Sequence, residues 1–137
     1  MPEKRTLERA RRDRREGKSP STQAGEFVRE EIHHVREGKH GARSAKQAIA
    51  IGLSKARRAG VPLPPPRKGT TSARTRRSAA SAYRAGQAGR HKTSARRARA
   101  TERALQREPR RAASRMALSR QVKMTARRRK SPARRAA

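Results

Sequence analysis

Positive charge constrains the fold of this chain more than any other feature of its sequence. The 137 residues include 40 lysines and arginines against 10 aspartates and glutamates, which gives a formal net charge of +30. Charge at this density repels itself and favours an extended chain unless an anion neutralises it. Hydrophobic residues make up 31% of the chain, and many of them are alanine. We therefore expect a small core, flanked by basic segments that are helical or disordered.

The acidic residues are confined to a few parts of the sequence. Eight of the ten precede Gly38, and no aspartate or glutamate lies between Gly38 and Thr101 or after Glu108. A basic run without acids neutralises phosphates and releases their counterions, which drives binding to nucleic acid of any sequence. The run therefore predicts a nucleic-acid-binding surface. The alternative is that the basic residues only keep the protein surface soluble. A GC-rich genome that favours arginine codons would also explain the excess of arginine.

Apolar residues recur at helical spacing mainly between Ser21 and Pro66. One stripe consists of Phe27, Val28, Ile32 and Val35, and a second consists of Ala45, Ala48, Ile49, Gly52, Leu53 and Ala56. Each stripe has the spacing of one face of an α-helix. Together they predict a helical hairpin over about residues 21–60.

Capping signals bound both predicted helices. Ser21 or Thr22 can cap the first helix, and Gly38 is a plausible stop. Ser44 and the residues up to Gln47 match a capping box, and Gly60 supplies a left-handed stop for the second helix. The glutamates of the first helix are expected on or near its outer face, solvated and bonded to nearby arginines; they are Glu26, Glu30 and Glu31.

The remaining chain divides into three segments. Residues 1–20 predict a polar, charged helix or arm that is solvated on all sides. Residues 61–69 predict a stiff proline-rich linker. Residues 70–137 form a basic arm rich in alanine, arginine and serine, in which Ser72, Thr93 or Ser94, and Ser114 can start helices. The predicted fold class is all-α: a short helical hairpin with highly basic helical or disordered N- and C-terminal arms.

The candidate nucleic-acid-binding residues are the cations of the hairpin, the linker and the C-terminal arm. They are Lys39, Arg43, Lys46, Lys55, Arg57, Arg58, Arg67, Lys68, Arg74, Arg76, Arg77, Arg96, Arg97, Arg99, Arg127, Arg128, Arg129 and Lys130. Arginine suits bidentate contacts to phosphates and insertion into narrow minor grooves. The phrases Lys18-Ser19-Pro20 and Lys130-Ser131-Pro132 resemble those of linker-histone tails, although chance is a strong alternative in a chain so rich in serine and arginine.

Other motifs favour ordinary structural roles. Gly38-Lys39-His40-Gly41 has the form of the KH-domain phosphate clamp, but no strand pattern accompanies it, so a plain turn between helices is favoured. The histidines are His33, His34, His40 and His91. Because adjacent histidines point to different faces of a helix and no organised acidic set or cysteine accompanies them, we predict no metal and no cofactor. No catalytic motif is present, so an enzyme is not expected.

A specific phrase connects the hairpin with a known family. Residues 25–31 (GEFVREE) and 39–54 (KHGARSAKQAIAIGLS) resemble a bacterial family of unknown function whose core phrase is close to S-x-K-Q-A-I-A-I-A/G-L-S-x-A. Its members are often labelled DNA-binding protein or plasmid stabilisation protein. The resemblance therefore implies DNA binding.

These observations predict sequence-tolerant binding of double-stranded DNA, as a nucleoid-associated or plasmid-maintenance protein in the cytoplasm. Phe27 and Tyr83 are too few to form a stacking platform for single strands. No signal segment or membrane span is expected. An RNA- or ribosome-associated protein is one alternative. A structural adaptor whose hairpin binds a protein partner is another, and the hairpin could also serve self-association.

Overall fold

The predicted hairpin is present in the computed structural model, which describes residues 2–89 and 94–130. Helices α2 (Pro20–Glu37) and α3 (Ala45–Arg58) pack on each other more extensively than any other described pair. They do not stand alone, because α1 (Lys4–Arg15) packs on α2 and α4 (Ala73–Gln87) packs on α3. The all-α class is confirmed for the described residues, which contain no β-strand. The short hairpin was too narrow a prediction, since the fold is a multi-helix bundle.

The chain after Ser94 is also helical. It contains α5 (Ala95–Gln106), a 3₁₀ turn (Arg111–Ala113) and α6 (Arg115–Lys130). The 3₁₀ turn packs on α2, α3 and α6, whereas α5 packs on none of the other described elements. Neither α5 nor α6 buries a residue. Among the described helices, none combines the length and the apolar character needed to cross a membrane.

The start of α2 lies earlier than the sequence patterns predicted. Its cap is Ser19, whose Oγ accepts a hydrogen bond from the backbone N–H of Thr22 at 3.3 Å, rather than Ser21 or Thr22. Pro20 occupies the first turn, where a helix needs no backbone donor. Helix α1 has already ended at Arg15, where Gly17 adopts a left-handed φ of 73° and the N–H of Lys18 bonds to the carbonyl of Asp13 at 2.9 Å. Gly38 ends α2 in the left-handed conformation, with φ of 79°, as predicted.

Both ends of α3 confirm the predicted signals. Ser44 Oγ accepts from the N–H of Gln47 at 3.1 Å, and Gln47 Oε1 accepts from the N–H of Arg43 at 2.6 Å, one residue before the cap. At the other end Gly60 has φ of 97°, and the N–H of Val61 bonds to the carbonyl of Ala56 at 3.1 Å. This glycine-dependent ending turns the chain back and buries Val61 against the helices.

Two small clusters of buried residues form the core. The first core cluster consists of Ala10, Ala24, Phe27, Ala56 and Val61, with Leu7, Leu53 and Leu63 partly buried against it. The second core cluster consists of Val35, Ala42, Ala48, Ala112 and Ala113, with Ile32 against it. Ile49, which the stripe of α3 placed in the core, is half-buried and belongs to neither cluster. The clusters connect α1, α2, α3, the linker and the 3₁₀ turn.

Helix α1 is part of the bundle, which corrects the prediction of a solvated polar arm. It buries Thr6, Ala10 and Asp13. Its Arg9 donates a hydrogen bond to Glu26 of α2 at 2.8 Å, and Asp13 accepts one from Lys18 at 2.8 Å. The buried face escaped prediction because small or paired polar residues form most of it.

Candidate functional site

Most of the predicted nucleic-acid-binding residues lie exposed on the surface. The exposed ones are Lys39, Arg43, Lys46, Arg58, Arg67, Lys68, Arg74, Arg77, Arg96, Arg97, Arg99, Arg127, Arg128, Arg129 and Lys130, and Arg76 is half-buried. They lie on the linker, on the turn before α3 and on α3, α4, α5 and α6. Within the described part of the chain, the surface from Gly38 to Lys130 carries carboxylates only at Glu102 and Glu108.

A repeated phrase starts three of the helices on this surface. Serines at the caps of α3, α4 and α5 are each followed by alanine and then by lysine or arginine. Each serine Oγ accepts a backbone N–H three residues on, and no acidic residue lies in the first turn of any of the three helices. The three phrases begin at Ser44, Ser72 and Ser94.

Cations at these positions oppose the helix dipole. The N-terminus of a helix carries partial positive charge and amides without intrahelical partners, so a cation there is unfavourable by about 0.3–1 kcal/mol. Lys46, Arg74 and Arg96 each occupy such a position. An anion such as a phosphate would meet both the side-chain cation and the positive end of the helix. The arrangement favours anion binding over intrinsic helix stability.

Sequence reasoning overlooked a further group of arginines. Arg36, Arg110 and Arg111 line an open cleft of about 360 Å³ together with Ala113 and Ser114. Arg36 donates to the carbonyl of Ala113 at 2.9 Å, and Arg110 donates to the carbonyl of Arg36 at the end of α2. These bonds attach the 3₁₀ turn to α2. No local signal could have found the cleft, because its residues are about 75 positions apart in the chain.

Two of the predicted nucleic-acid-binding residues have internal roles instead. Arg57 is buried, and its guanidinium donates to the carbonyls of Leu63 at 3.2 Å and Pro64 at 3.1 Å. Burial lowers the pKa of Arg57 from its ordinary value. Lys55 is bonded to the fully buried carboxylate of Glu31. Arg57 therefore fixes the linker to α3, and Lys55 balances an internal charge.

Lys39 is exposed but bonded to acids. Its ammonium lies 3.4 Å from Glu3 and 3.6 Å from Glu37. The hydrogen bond to Glu3 is the main cause that raises the pKa of Lys39. A phosphate would have to compete with two carboxylates for this side chain, so Lys39 is a weaker candidate than the cations of α4 and α5.

The turn Gly38-Lys39-His40-Gly41 contacts its own chain rather than presenting a free phosphate clamp. The N–H of Gly41 donates to the carbonyl of Leu105 at 2.7 Å, and the N–H of Ala42 donates to that of Pro109 at 3.0 Å. A Cβ at Gly41 would overlap the backbone carbonyl of Glu108. The glycine is therefore needed for the approach of residues 105–109, which agrees with the prediction of an ordinary turn.

A buried polar cluster lies where acids were expected to be solvated. Glu31 is 0% exposed and Glu30 is 4% exposed, so the prediction that both lie on an outer face was wrong. Glu31 contacts His40 at 3.0 Å and His34 at 3.9 Å, and it is bonded to Lys55. The helical pattern did not predict this burial because Glu3 at the start of the chain, Lys55 of α3 and His40 of the turn after α2 contact these two glutamates.

A second polar group extends the cluster toward the N-terminus. His34 contacts Glu3 at 3.0 Å through Nε2, and the N–H of Glu3 donates to Glu30 Oε1 at 2.6 Å. Hydrogen bonds from His34 and then from Lys39 lower the pKa of Glu3. Glu30 Oε2 is buried without a hydrogen-bond partner. His33 is exposed, as expected for a neighbour of His34 on a helix, and His91 lies outside the described residues.

Comparison with known proteins finds a match in the N-terminal half of the chain. Residues 3–68 match a family of unknown function (DUF6496). The matched segment contains α1, α2, α3 and most of the linker, and with them the whole polar cluster. No curated protein and no solved structure matches the chain significantly.

Proposed function

We propose that this protein is a non-enzymatic DNA-binding protein that coats or bridges duplex DNA with little sequence preference. A nucleoid-associated or plasmid-maintenance role in the bacterial cytoplasm is the setting that fits such an activity. The proposal rests on the exposed cations that follow Gly38, together with the scarcity of carboxylates among them. Neutralised phosphates release their counterions, which supplies a drive to bind that does not depend on base sequence.

The observation that carries the proposal is the set of Ser-Ala-cation helix starts at α3, α4 and α5. The helix dipole does not stabilise these cations, whereas a phosphate at the same place would be stabilised by the cation and by the positive end of the helix dipole. The cations at these three helix starts therefore lower helix stability slightly, at positions where an anion would be stabilised. Arginine, which dominates the C-terminal helices, adds bidentate contacts to phosphate oxygens.

The direct test is duplex binding as a function of salt. A fluorescent DNA duplex of about 30 bp, roughly three helical turns, would be titrated with the full chain in an anisotropy assay. If 6–10 phosphates are contacted, affinity should fall by about 10³–10⁵-fold between about 50 and 200 mM salt. An affinity that hardly changes over this range would contradict the proposal.

Matched variants locate the interface. The triple variant R96Q/R97Q/R99Q removes three exposed cations of α5, and R12Q/R14Q/R15Q removes three exposed cations of α1. If α5 binds phosphates, the salt slope should fall by about one for each phosphate that the variant no longer neutralises. The α1 variant, whose arginines lie among acidic residues, should change the slope much less. Equal effects of the two variants would mean that net charge alone, and not this surface, determines binding.

Competition separates duplex DNA from RNA. Unlabelled duplex DNA, structured RNA and heparin would be compared at one salt concentration. We expect duplex DNA to compete best, because extended cationic helices suit the regular spacing of its phosphates. Stronger competition by structured RNA would favour an RNA- or ribosome-associated role. If heparin competed as well as duplex DNA, the protein would bind polyanions in general rather than DNA in particular.

A further inference from the structure

Three side chains of the polar cluster converge from different parts of the bundle. Glu31 and His34 come from α2, and His40 comes from the turn after it. One ligand atom from each of the three lies within 4.8 Å of the others. The rings of His34 and His40 meet edge to face with centroids 6.1 Å apart. Glu31 is fully buried, and each histidine side chain is 12% exposed, so the group is covered but solvent can reach it.

Hydrogen bonds fix which nitrogen of each histidine faces Glu31. His40 Nδ1 lies 2.9 Å from the carbonyl of Gly41, and because a carbonyl only accepts, this nitrogen must carry a proton. His34 Nε2 lies 3.0 Å from the carboxylate of Glu3, which likewise accepts. In its neutral form an imidazole has one N–H, and the other nitrogen of each ring then presents a lone pair. Those nitrogens are His40 Nε2 and His34 Nδ1, and both face Glu31.

Three electron pairs that meet without a donor repel each other. His40 Nε2 lies 3.0 Å from Glu31 Oε2, a contact that is attractive only with a proton or a cation between the two atoms. Lys55 donates to the other oxygen, Oε1, so it does not supply this bridge. A histidine that binds a metal usually donates the N–H of one ring nitrogen to a carboxylate or a carbonyl, and it binds the metal through the other nitrogen.

The separations and charges suit zinc. Tetrahedral ligands at about 2.0–2.2 Å from zinc lie roughly 3.3–3.6 Å apart. His40 Nε2 lies 3.0 Å from Glu31 Oε2, and His34 Nδ1 lies 3.9 Å from the other oxygen, Glu31 Oε1, so the two separations fall on either side of that range. Two imidazoles and one carboxylate form a zinc ligand set that leaves a fourth position for water. The surrounding charges are the carboxylates of Glu3, Glu30 and Glu31 against the ammonium groups of Lys39 and Lys55. The cluster is therefore locally acidic in a strongly basic protein.

We propose that Glu31, His34 and His40 form a zinc-binding site. Glu3 and the carbonyl of Gly41 act as the supporting acceptors that orient the two imidazoles. The metal ties α2 to the turn that leads into α3 and thereby stabilises the N-terminal half of the bundle. This site is independent of DNA binding. It departs from the prediction of no metal because Glu31, which was expected to be solvated, is buried beside His34 and His40.

The test uses the tag-free full-length protein and zinc chloride alone. Isothermal titration calorimetry and metal analysis after dialysis would be applied to the wild type and to the variants His34→Gln, His40→Gln and His33→Gln. His33 is the matched control, since it neighbours His34 in α2 and is exposed. We expect one zinc per chain in the wild type and the control. Loss of either ligand should weaken binding by at least about 100-fold, the upper range for loss of a supporting residue alone.

Two further readouts keep the test decisive if a variant is unstable. Zinc should raise the melting temperature of the wild type and of His33→Gln, but not that of His34→Gln or His40→Gln. Cobalt(II) bound to the wild type should show the strong visible absorption of a tetrahedral ion. The absence of stoichiometric zinc binding would overturn the proposal and leave a proton-bearing histidine–carboxylate pair as the explanation. Binding that both ligand variants retain, or a weakly absorbing octahedral cobalt spectrum, would also overturn it.

Discussion

The two halves of the bundle are similar in helix content but differ in what they bury. Residues 2–68 bury Phe27 and Val35 together with paired acids and the guanidinium of Arg57. In the described part of residues 69–130, the only buried residues are alanines, namely Ala79, Ala82, Ala112 and Ala113. Three large apolar residues of α6 are exposed, namely Met116, Val122 and Met124, and Leu118 is half-buried. The first core cluster lies wholly in the first half, whereas Ala112 and Ala113 of the second half are buried against residues of the first half in the second core cluster.

In the second half, helix α4 is held by close contact between its backbone and that of the first half, rather than by burial of large apolar side chains. Gly86 of α4 lies against the carbonyl of Arg57, where a Cβ would overlap that atom. Gln87 donates to the carbonyl of Gly60 at 3.3 Å. Burying an alanine removes far less apolar surface than burying leucine or phenylalanine, so such contacts stabilise a helix only while the partner surface is in place. We therefore expect basic helices attached in this way to respond to a bound polyanion.

Separation of the halves should have the largest effect. We expect the isolated fragment 69–137 to lose most of its helicity, because helices of 12–16 residues are marginal in water and its alanine faces lose their partners. Duplex DNA should restore helicity by removing the repulsion between cations. Far-ultraviolet circular dichroism of the fragment with and without DNA measures both effects. A free fragment as helical as it is in the intact chain would show that the second half is autonomous.

Substitution of Phe27 by alanine should destabilise the whole bundle. Phe27 is 1% exposed and is the largest side chain of the first core cluster. Its truncation should lower the free energy of unfolding by about 3–5 kcal/mol. The matched substitution in the second half is Val122→Ala, which should change it by less than about 0.5 kcal/mol because Val122 is 67% exposed. Urea titrations of the two variants compare the halves directly, and a large effect at Val122 would indicate an additional partner for α6.

A methyl group at Gly86 should detach α4 without unfolding the core. The overlap of an alanine Cβ with the carbonyl of Arg57 should cost about 1–3 kcal/mol. Gly25→Ala is the control, since a Cβ at Gly25 meets no atom within 4 Å and should stabilise α2 by about 0.5–1 kcal/mol. Hydrogen exchange should show faster exchange in α4 of the Gly86 variant. Equal protection of α4 in both variants would mean that the helix can shift without loss.

The smallest expected effect concerns Lys18 at high pH. Its hydrogen bonds to Asp13 and then Glu16 raise its pKa above the ordinary value of 10.5. A raised pKa in the folded state means that the ammonium form contributes stability below about pH 10.5, and that this contribution is lost as pH rises through the folded value. The melting temperatures of the wild type and Lys18→Gln should therefore differ slightly at neutral pH and converge as the pH rises through the folded pKa of Lys18. A difference that persists at high pH would exclude the charge of Lys18 as its cause.

The sequence by itself determined the helices, most of their ends and the separation of charge, although the start of α2 at Ser19 differs from the prediction. Serines at helix starts and glycines such as Gly38 and Gly60 act within a few residues, so their effects can be predicted without a fold. The all-α class and the hairpin of α2 and α3 follow from stripes that repeat every three or four residues. Net charge and the positions of the acids are properties of the sequence alone, and they support the proposal of DNA binding.

Only the tertiary structure decided which polar residues are internal. Helical spacing shows which residues share a face, but not how many neighbouring elements cover that face. Glu31 is buried because the turn after α2 brings His40 to it and α3 brings Lys55, whose ammonium compensates the lost hydration of the carboxylate. Arg57 is internal because the chain after Gly60 turns back and offers two carbonyls to its guanidinium. Whether a charge lies in solvent or in the interior depends on partners that are distant in the sequence, and folding alone brings them together.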